Sequence, residues 1–228
     1  MQNQSMQVTA QPVAKRLEDP LSHLPCSTVV EYYKGQTIYN QDQPSKSLYL
    51  IIDGKVKVSG LADDGHTIVV DIYQPDDFFG QVAFLGLLQH REQATALEAS
   101  TKLMAWETED IEQIITKRPR LAIALLQIQV QRTLDMAQRI ESFSVDNVCR
   151  RLARSLIRFS ERLGHMEADG SVRMSAITHE LLSQYIGTSR EIVTHYMNQF
   201  RRMGYLQYTR RGIVMYRDAL TQWLRDNS

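Results

Sequence analysis

Arg190, Glu191, Thr194, His195, Asn198 and Arg202 share one side of a helix if the chain is helical from Arg190 onward, while Val193, Met197 and Phe200 share the other. Guanidinium, carboxylate, hydroxyl, imidazole and carboxamide groups are the side chains that hydrogen-bond base edges and phosphates. Just upstream, Leu181, Leu182, Tyr185 and Ile186 recur at helical spacing until Gly187, a residue free to take the left-handed turn conformation. Thr188 or Ser189 can cap the next helix, which puts Glu191 in its first turn, where the helix dipole favours an acid. Ile177–Gly204 thus carries a helix-turn-helix pattern. An ordinary helical hairpin with a solvated polar face shares that periodicity.

The residues that follow separate the two readings. Tyr205–Thr209, Arg210-Arg211-Gly212 and Ile213–Tyr216 predict a two-stranded wing with a basic tip, suited to a phosphate backbone. From Asp146 onward there are 13 Arg and no Lys against 8 acids, a net of +5, and the preceding part carries −5. The overall neutrality conceals a basic C-terminal module, the electrostatic footprint of a nucleic-acid binder.

The elements that must position these groups follow from length and patterning. A chain of 228 residues suits one large or two modest domains. Its 43% hydrophobic content and 23% charge are those of a soluble globular protein, and no apolar run approaches the ~18 residues of a membrane span. Residues 1–26 read as a polar tail without a signal core, so the expected compartment is cytoplasmic, with no membrane partner. Cys26 and Cys149 are isolated and read as structural thiols.

Between residues 27 and 119, short strands at Thr37–Tyr39, Ser47–Ile52, Lys55–Ser59, Thr67–Tyr73, Gln93–Ala99 and Lys102–Glu107 alternate with turn signals. Asp53-Gly54 predicts a two-residue hairpin, Asp63–Gly65 a longer one, and Phe78–Leu85 a turn into a short helix. The spacing argues for a small antiparallel roll. Glu109–Lys117 is a short amphipathic helix, and residues 120–144 hold a long one. Leu126, Gln129, Thr133, Met136, Ile140 and Phe143 keep a heptad rhythm there, beside a second row of Leu121, Leu125 and Ile128. Two apolar faces predict that one packs on the roll and the other on a twin helix, with Gln129 and Thr133 fixing register. Residues 145–228 then contain the Val148–Leu163 helix, stopped at Gly164, a polar loop to Gly170, and the winged helix-turn-helix.

This order resembles the Crp/Fnr (cyclic-AMP receptor / fumarate-nitrate regulator) family of bacterial transcription factors. SLYLIIDGKVKVSG (Ser47–Gly60), PDDFFGQVAFLG (Pro75–Gly86) and IGTSREIVTHYMNQFRRMGYL (Ile186–Leu206) carry the resemblance, which spans roughly Thr28 to Asp218. It implies an α+β fold: an antiparallel, cyclic-nucleotide-binding-like β-roll sensor, a long dimerisation helix, and a winged helix-turn-helix. It also implies a homodimer on a palindromic double-stranded DNA operator, with contacts to RNA polymerase. By that pattern Thr188, Ser189, Arg190, Glu191, Thr194 and His195 would meet DNA, with Arg202, Arg210 and Arg211 on phosphates.

Departures from the family pattern bear on the effector. Its candidate pocket comprises Gly80, Gln81, Val82, Ala83, Arg91, Glu92, Gln93 and Met136. Cyclic-nucleotide members place an acid after the glycine and an arginine before the alanine. Here Gln81 follows Gly80, and Glu92-Gln93 precede Ala94, so an acid would face the cyclic phosphate. Arg91 lies one residue away, and the adenine-contacting Thr-Ser pair is replaced by Met136-Ala137. Cyclic AMP is therefore not the expected ligand, and the effector is unassigned. Two cysteines fall short of the four an iron–sulfur cluster needs, and His66 and His90 read as solvated loop residues rather than haem ligands. His179-Glu180 begins a zinc-binding HExxH pattern, but Ser183 occupies the second histidine's place. No cofactor and no catalysis are expected. The competing reading is a ligand-binding module whose C-terminal part contacts protein instead of DNA.

Overall fold

A computed structural model describes residues 18–61, 67–86 and 89–227. Among the described residues the sensor part contains eight strands: β1 (Val29–Tyr32), β2 (Thr37–Tyr39), β3 (Ser47–Asp53), β4 (Val56–Leu61), β5 (Thr67–Tyr73), β6 (Phe78–Phe79), β7 (Gln93–Ala96) and β8 (Thr101–Glu107). They form two antiparallel sheets, ordered β1-β8-β3-β6 and β2-β7-β4-β5. The order corrects the expected hairpin at Asp53-Gly54. β3 pairs with β8 and β6, whereas β4 pairs with β5 and β7. Gly54 (φ 84°) instead turns the chain from one sheet to the other, and a Cβ there would lie 2.7 Å from Ser100 O. The Asp63–Gly65 turn and His66 lie outside the described residues, although the strands they join do pair.

Two inner cores result. Tyr39, Ile51, Val56, Val58, Tyr73, Phe79, Ala94 and Leu103 fill the space within the roll. Leu24, Leu48, Leu50, Phe78, Trp106, Ile111 and Leu121 join its outer face to the helices behind it. Leu24 shows that the polar tail ends earlier than residue 26. Asp19 caps a single turn over Pro20–Ser22, the Glu18 N–H donates to Gln127 Oε1 (2.8 Å), and Trp106 Nε1 donates to Pro25 O (2.9 Å).

Helix α1 (Thr108–Lys117) leads into α2 (Arg120–Val145). Leu121 and Ala124 of α2 are fully buried, with Leu125 and Ile128 packed beside them against the roll. The opposite side is an exposed apolar stripe of Ile123, Leu126, Val130, Leu134 and Ile140. The predicted seam shares Leu126 and Ile140 with it, and Gln129, Thr133 and Met136 are exposed beside them. Phe143 is 40% exposed and also touches the chain's own groups: the guanidinium groups of Arg139 and Arg151 lie 5.6 and 5.1 Å from its ring, and a Cβ on Gly187 would sit 3.1 Å from it. The end of α2 thus bears on the turn of the helix-turn-helix.

The C-terminal part comprises α3 (Val148–Leu163), β9 (Gly164–Met166), β10 (Val172–Met174), α4 (His179–Ile186), α5 (Arg190–Arg202), β11 (Leu206–Thr209), β12 (Gly212–Met215) and α6 (Arg217–Asp226). Its sheet runs β11-β12-β10-β9. Gly164 does end α3, but as extended backbone opening β9, so part of the expected polar loop is strand. Its need for glycine is spatial, since a Cβ would overlap Ser160 O and Val172 Cγ1, each 2.3 Å away.

This domain is docked on the edge strand of the roll. Arg139 donates to the carbonyls of Val69 (2.8 Å), Val70 (2.6 Å) and Tyr185 (2.6 Å). Arg162 reaches Asp71 Oδ1 (2.9 Å), Ile72 O (3.1 Å) and Asp77 Oδ2 (3.2 Å). The register explains how two successive carbonyls meet one guanidinium. Val58 pairs with Asp71 and Ser59 with Val69, leaving Val70 as the extra residue of a β-bulge, which re-aims its peptide.

Candidate nucleic-acid interface

Local sequence builds the helix-turn-helix. Thr178 caps α4 by accepting from the Leu181 N–H (3.1 Å), and Gly187 ends it in the left-handed region at φ 67°. The Thr188 N–H donates to Ser183 O (3.1 Å), closing the turn, and Ser189 caps α5. Val193, Met197 and Phe200 are completely buried, which fixes the rotation of α5. That rotation leaves Arg190, Glu191, His195 and Arg202 exposed, with Thr194 and Asn198 half-buried along one flank. Hydrogen bonds from its own N–H and the Ser189 hydroxyl hold the Glu191 carboxyl below its usual range, so it is an anionic acceptor at neutral pH. Arg210 and Arg211 are exposed at the wing tip, where the Arg211 N–H donates to Thr209 Oγ1 (3.1 Å). All nine predicted contact residues therefore lie on α5, the turn before it, or the wing.

A polar cluster missed by sequence reasoning braces that flank. His179 Nδ1 lies 2.8 Å from Thr194 Oγ1, which itself donates to Arg190 O (2.9 Å). The Tyr208 hydroxyl donates to Asn198 Oδ1 (3.1 Å), and its ring meets His179 edge-on at 5.1 Å. Burial, then the Arg190 charge, lowers the His179 pKa, keeping the imidazole neutral. The only signal in sequence was an unused histidine at the start of α4.

The predicted effector positions are not all brought together, and the roll interior near Gly80 is filled by aromatic rings. Tyr49 and Phe79 stack at 5.0 Å, Tyr73 meets Phe79 at 5.6 Å, and His90 stacks on Tyr39 at 3.8 Å. His90 is 5% exposed, correcting the solvated-loop reading, and burial lowers its pKa. Gly80 (φ 87°) lies against Ser47 O and the Tyr49 ring, and Gln81–Leu85 form a short 3₁₀ helix. Within it the Ala83 N–H is already taken by Gly80 O (3.0 Å), and Val82 is half-buried. Burial raises the pKa of Glu92, whereas Arg91 points to solvent. Gln93 Nε2 is held by Asn40 Oδ1 (2.8 Å), and Met136 is 51% exposed. The Arg132 guanidinium lies 4.6 Å over the Tyr73 ring, with Nη1 and Nη2 buried.

Comparison with known proteins agrees with both halves. Residues 29–118 match the cyclic nucleotide-binding domain and residues 150–223 the Crp-like helix-turn-helix domain. The chain belongs to the Crp/Fnr family. A CRP-like cAMP-activated global transcriptional regulator of Mycobacterium tuberculosis is 25% identical over 82% of this chain and 83% of its own length. The global nitrogen regulator of Synechococcus elongatus is 24% identical over 85% of this chain and 88% of its own length. The solved structure of FixK2 from Bradyrhizobium japonicum superposes with a TM-score of 0.77 at 21% identity, covering 87% of this chain and 97% of FixK2. This Crp/Fnr chain is thus a transcription regulator with a helix-turn-helix DNA-binding domain. Among the described residues no helix is long and apolar enough to cross a membrane.

Proposed function

We propose that the protein is a homodimeric, sequence-specific regulator that reads a palindromic operator with α5 and does not take cyclic AMP as its effector. The observation that carries the DNA reading is the exposed Arg190–Glu191 pair at the leading end of α5, capped by Ser189 and flanked by an arginine-tipped wing. Arg190 can bond guanine O6 and N7 bidentately, and Glu191 can accept from cytosine N4, so each half-site contains a G·C pair. His195 presents a shorter side chain than an arginine would, so it discriminates less at its base pair. Arg202, Arg210 and Arg211 meet phosphates, which set register without specifying sequence. The half-site centres lie about one helical turn apart, matching a dimer joined through α2. RNA polymerase is the expected protein partner.

Rejection of cyclic AMP is supported by the roll interior. The sequence sets Glu92, an acid held partly buried, where cyclic-nucleotide members have an arginine, and Tyr39, Tyr73, Phe79 and His90 are buried in the aromatic packing of the roll, with Tyr49 stacked on Phe79. Binding assays test the DNA reading. Arg190→Ala should cost about 1–3 kcal/mol at one base pair, whereas Arg211→Ala should weaken all duplexes alike and flatten the salt slope. A uniform loss from Arg190→Ala across sequences refutes the assignment. Salt-independent binding would favour the protein-contacting alternative.

A further inference from the structure

The flank of α5 that faces α4 and the wing constrains two side chains in a way that bears on which bases they read. A threonine hydroxyl has one proton, and that of Thr194 is donated to Arg190 O (2.9 Å). In the 2.8 Å contact with His179 Nδ1, the imidazole is therefore the donor and Thr194 Oγ1 the acceptor. Both bonds draw Oγ1 back toward the protein, and the other branch on Cβ is a methyl group. Asn198 is oriented in the same manner. The Tyr208 hydroxyl donates to its Oδ1 (3.1 Å), which commits the carboxamide acceptor to the wing and leaves the Nδ2 donor on the other side. The two braces also hold one another. Tyr208 packs edge-on to His179, and the Arg201 guanidinium covers the Tyr208 ring at 5.4 Å.

We propose that His179 and Tyr208 are positioning residues for base reading: they make α5 present the Thr194 methyl rather than its hydroxyl, and the Asn198 amide donor rather than its acceptor. The inference rests on the recognition-helix reading above and extends it to specificity. A methyl group complements the C5-methyl of thymine, and an N–H₂ donor complements purine N7, guanine O6 or thymine O4. The half-site then contains a T·A pair beside the G·C pair read by Arg190. Cytosine N4, itself a donor, is excluded opposite Asn198.

The test uses the full-length protein and a random-sequence duplex pool from which the wild type selects its preferred site. The readout is the ratio of affinities for that site and for the same site altered at one base pair. His179→Phe and Tyr208→Phe should each lower that ratio about tenfold, the scale of one lost base contact. At the T·A pair, Thr194→Ser should lower the ratio more than Thr194→Val, because valine keeps the methyl and serine only the hydroxyl. The reverse ranking at Thr194 overturns the proposal, since it would mean that the hydroxyl reads the base. A constant ratio in both phenylalanine variants, with parallel losses on all duplexes, would mean that the braces serve folding alone. A wild type that binds duplex DNA in a salt-dependent manner yet selects no sequence overturns the recognition-helix reading, and this inference with it.

Discussion

Replacing Arg139 with Met tests whether the DNA-binding domain is held on the roll by the contacts the structure shows. Methionine keeps most of the stem that packs under Tyr185, whose ring lies 4.0 Å from the guanidinium, but it removes three hydrogen bonds to Val69, Val70 and Tyr185 carbonyls. A hydrogen bond from a charged donor contributes about 1.5–3 kcal/mol net. Against this stands the cost of burying the cation, visible as an Arg139 pKa lowered by burial. The remaining ion pairs of Arg162 with Asp71 and Asp77 would still tether the domains. The expected loss of docking is about 2–3 kcal/mol, or roughly thirty- to a hundred-and-fiftyfold in the undocked population. Hydrogen exchange followed by mass spectrometry reads this directly. Peptides covering Thr67–Tyr73 and His179–Ile186 should exchange faster by that factor, while those from β3 and β8 should not. Unchanged protection of the first two peptides would refute the reasoning, because Arg139 would then contribute nothing to docking.

Three further outcomes are expected. Leu126→Asp combined with Ile140→Asp would bury like charges in the exposed stripe of α2, so sedimentation should report a monomer; a persistent dimer would place the interface elsewhere. Cyclic AMP should leave the melting temperature unchanged, and a saturating rise on titration would sink the sensor reading. Asp146, buried between α2 and α3, should act as an acid-sensitive clamp. Burial alone would raise its pKa, but bonds from Arg150, Ser142 and Arg154 hold it below its ordinary value near 3.8. A depressed carboxylate stabilises the fold above that ordinary value, and its contribution fades as pH falls through the folded one. Asp146→Asn should therefore cost about 1–3 kcal/mol near pH 7, discounted because Arg154 is half exposed, and the gap should close in acid melts. A gap independent of pH would show that the charge is irrelevant.

What was legible in sequence was what local chemistry decides. The Ser189 cap and the left-handed Gly187 are set by neighbours a few residues away, so the helix-turn-helix could be placed to within a residue or two. The partner of β3 was not legible. Asp53-Gly54 makes the same tight turn whether the flanking strands pair or part, and only the packing of Leu48 and Leu50 against Trp106 decides. His90 looked solvated because its neighbours are polar, yet a stacking partner fifty-one residues away, Tyr39, buries it. Phe143 keeps the heptad rhythm, but periodicity does not reveal that its ring also meets the turn at Gly187. β1 and α6 are not legible: β1 is four residues without a buried–exposed alternation, and α6 is a ten-residue helix without a side-chain cap.

The arginine-only composition of the C-terminal module has a consequence for chemical control. All seven lysines of the chain lie at or before Lys117, so the recognition helix and the wing contain no ε-amine. A guanidinium stays protonated across the accessible pH range and is not a substrate for lysine acetylation. The arginine charge that this domain offers to DNA cannot be titrated or acetylated away. Amine-reactive labels and cross-linkers will mark the sensor half while leaving the reading surface untouched, which makes them usable reporters on the protein while it is bound to DNA.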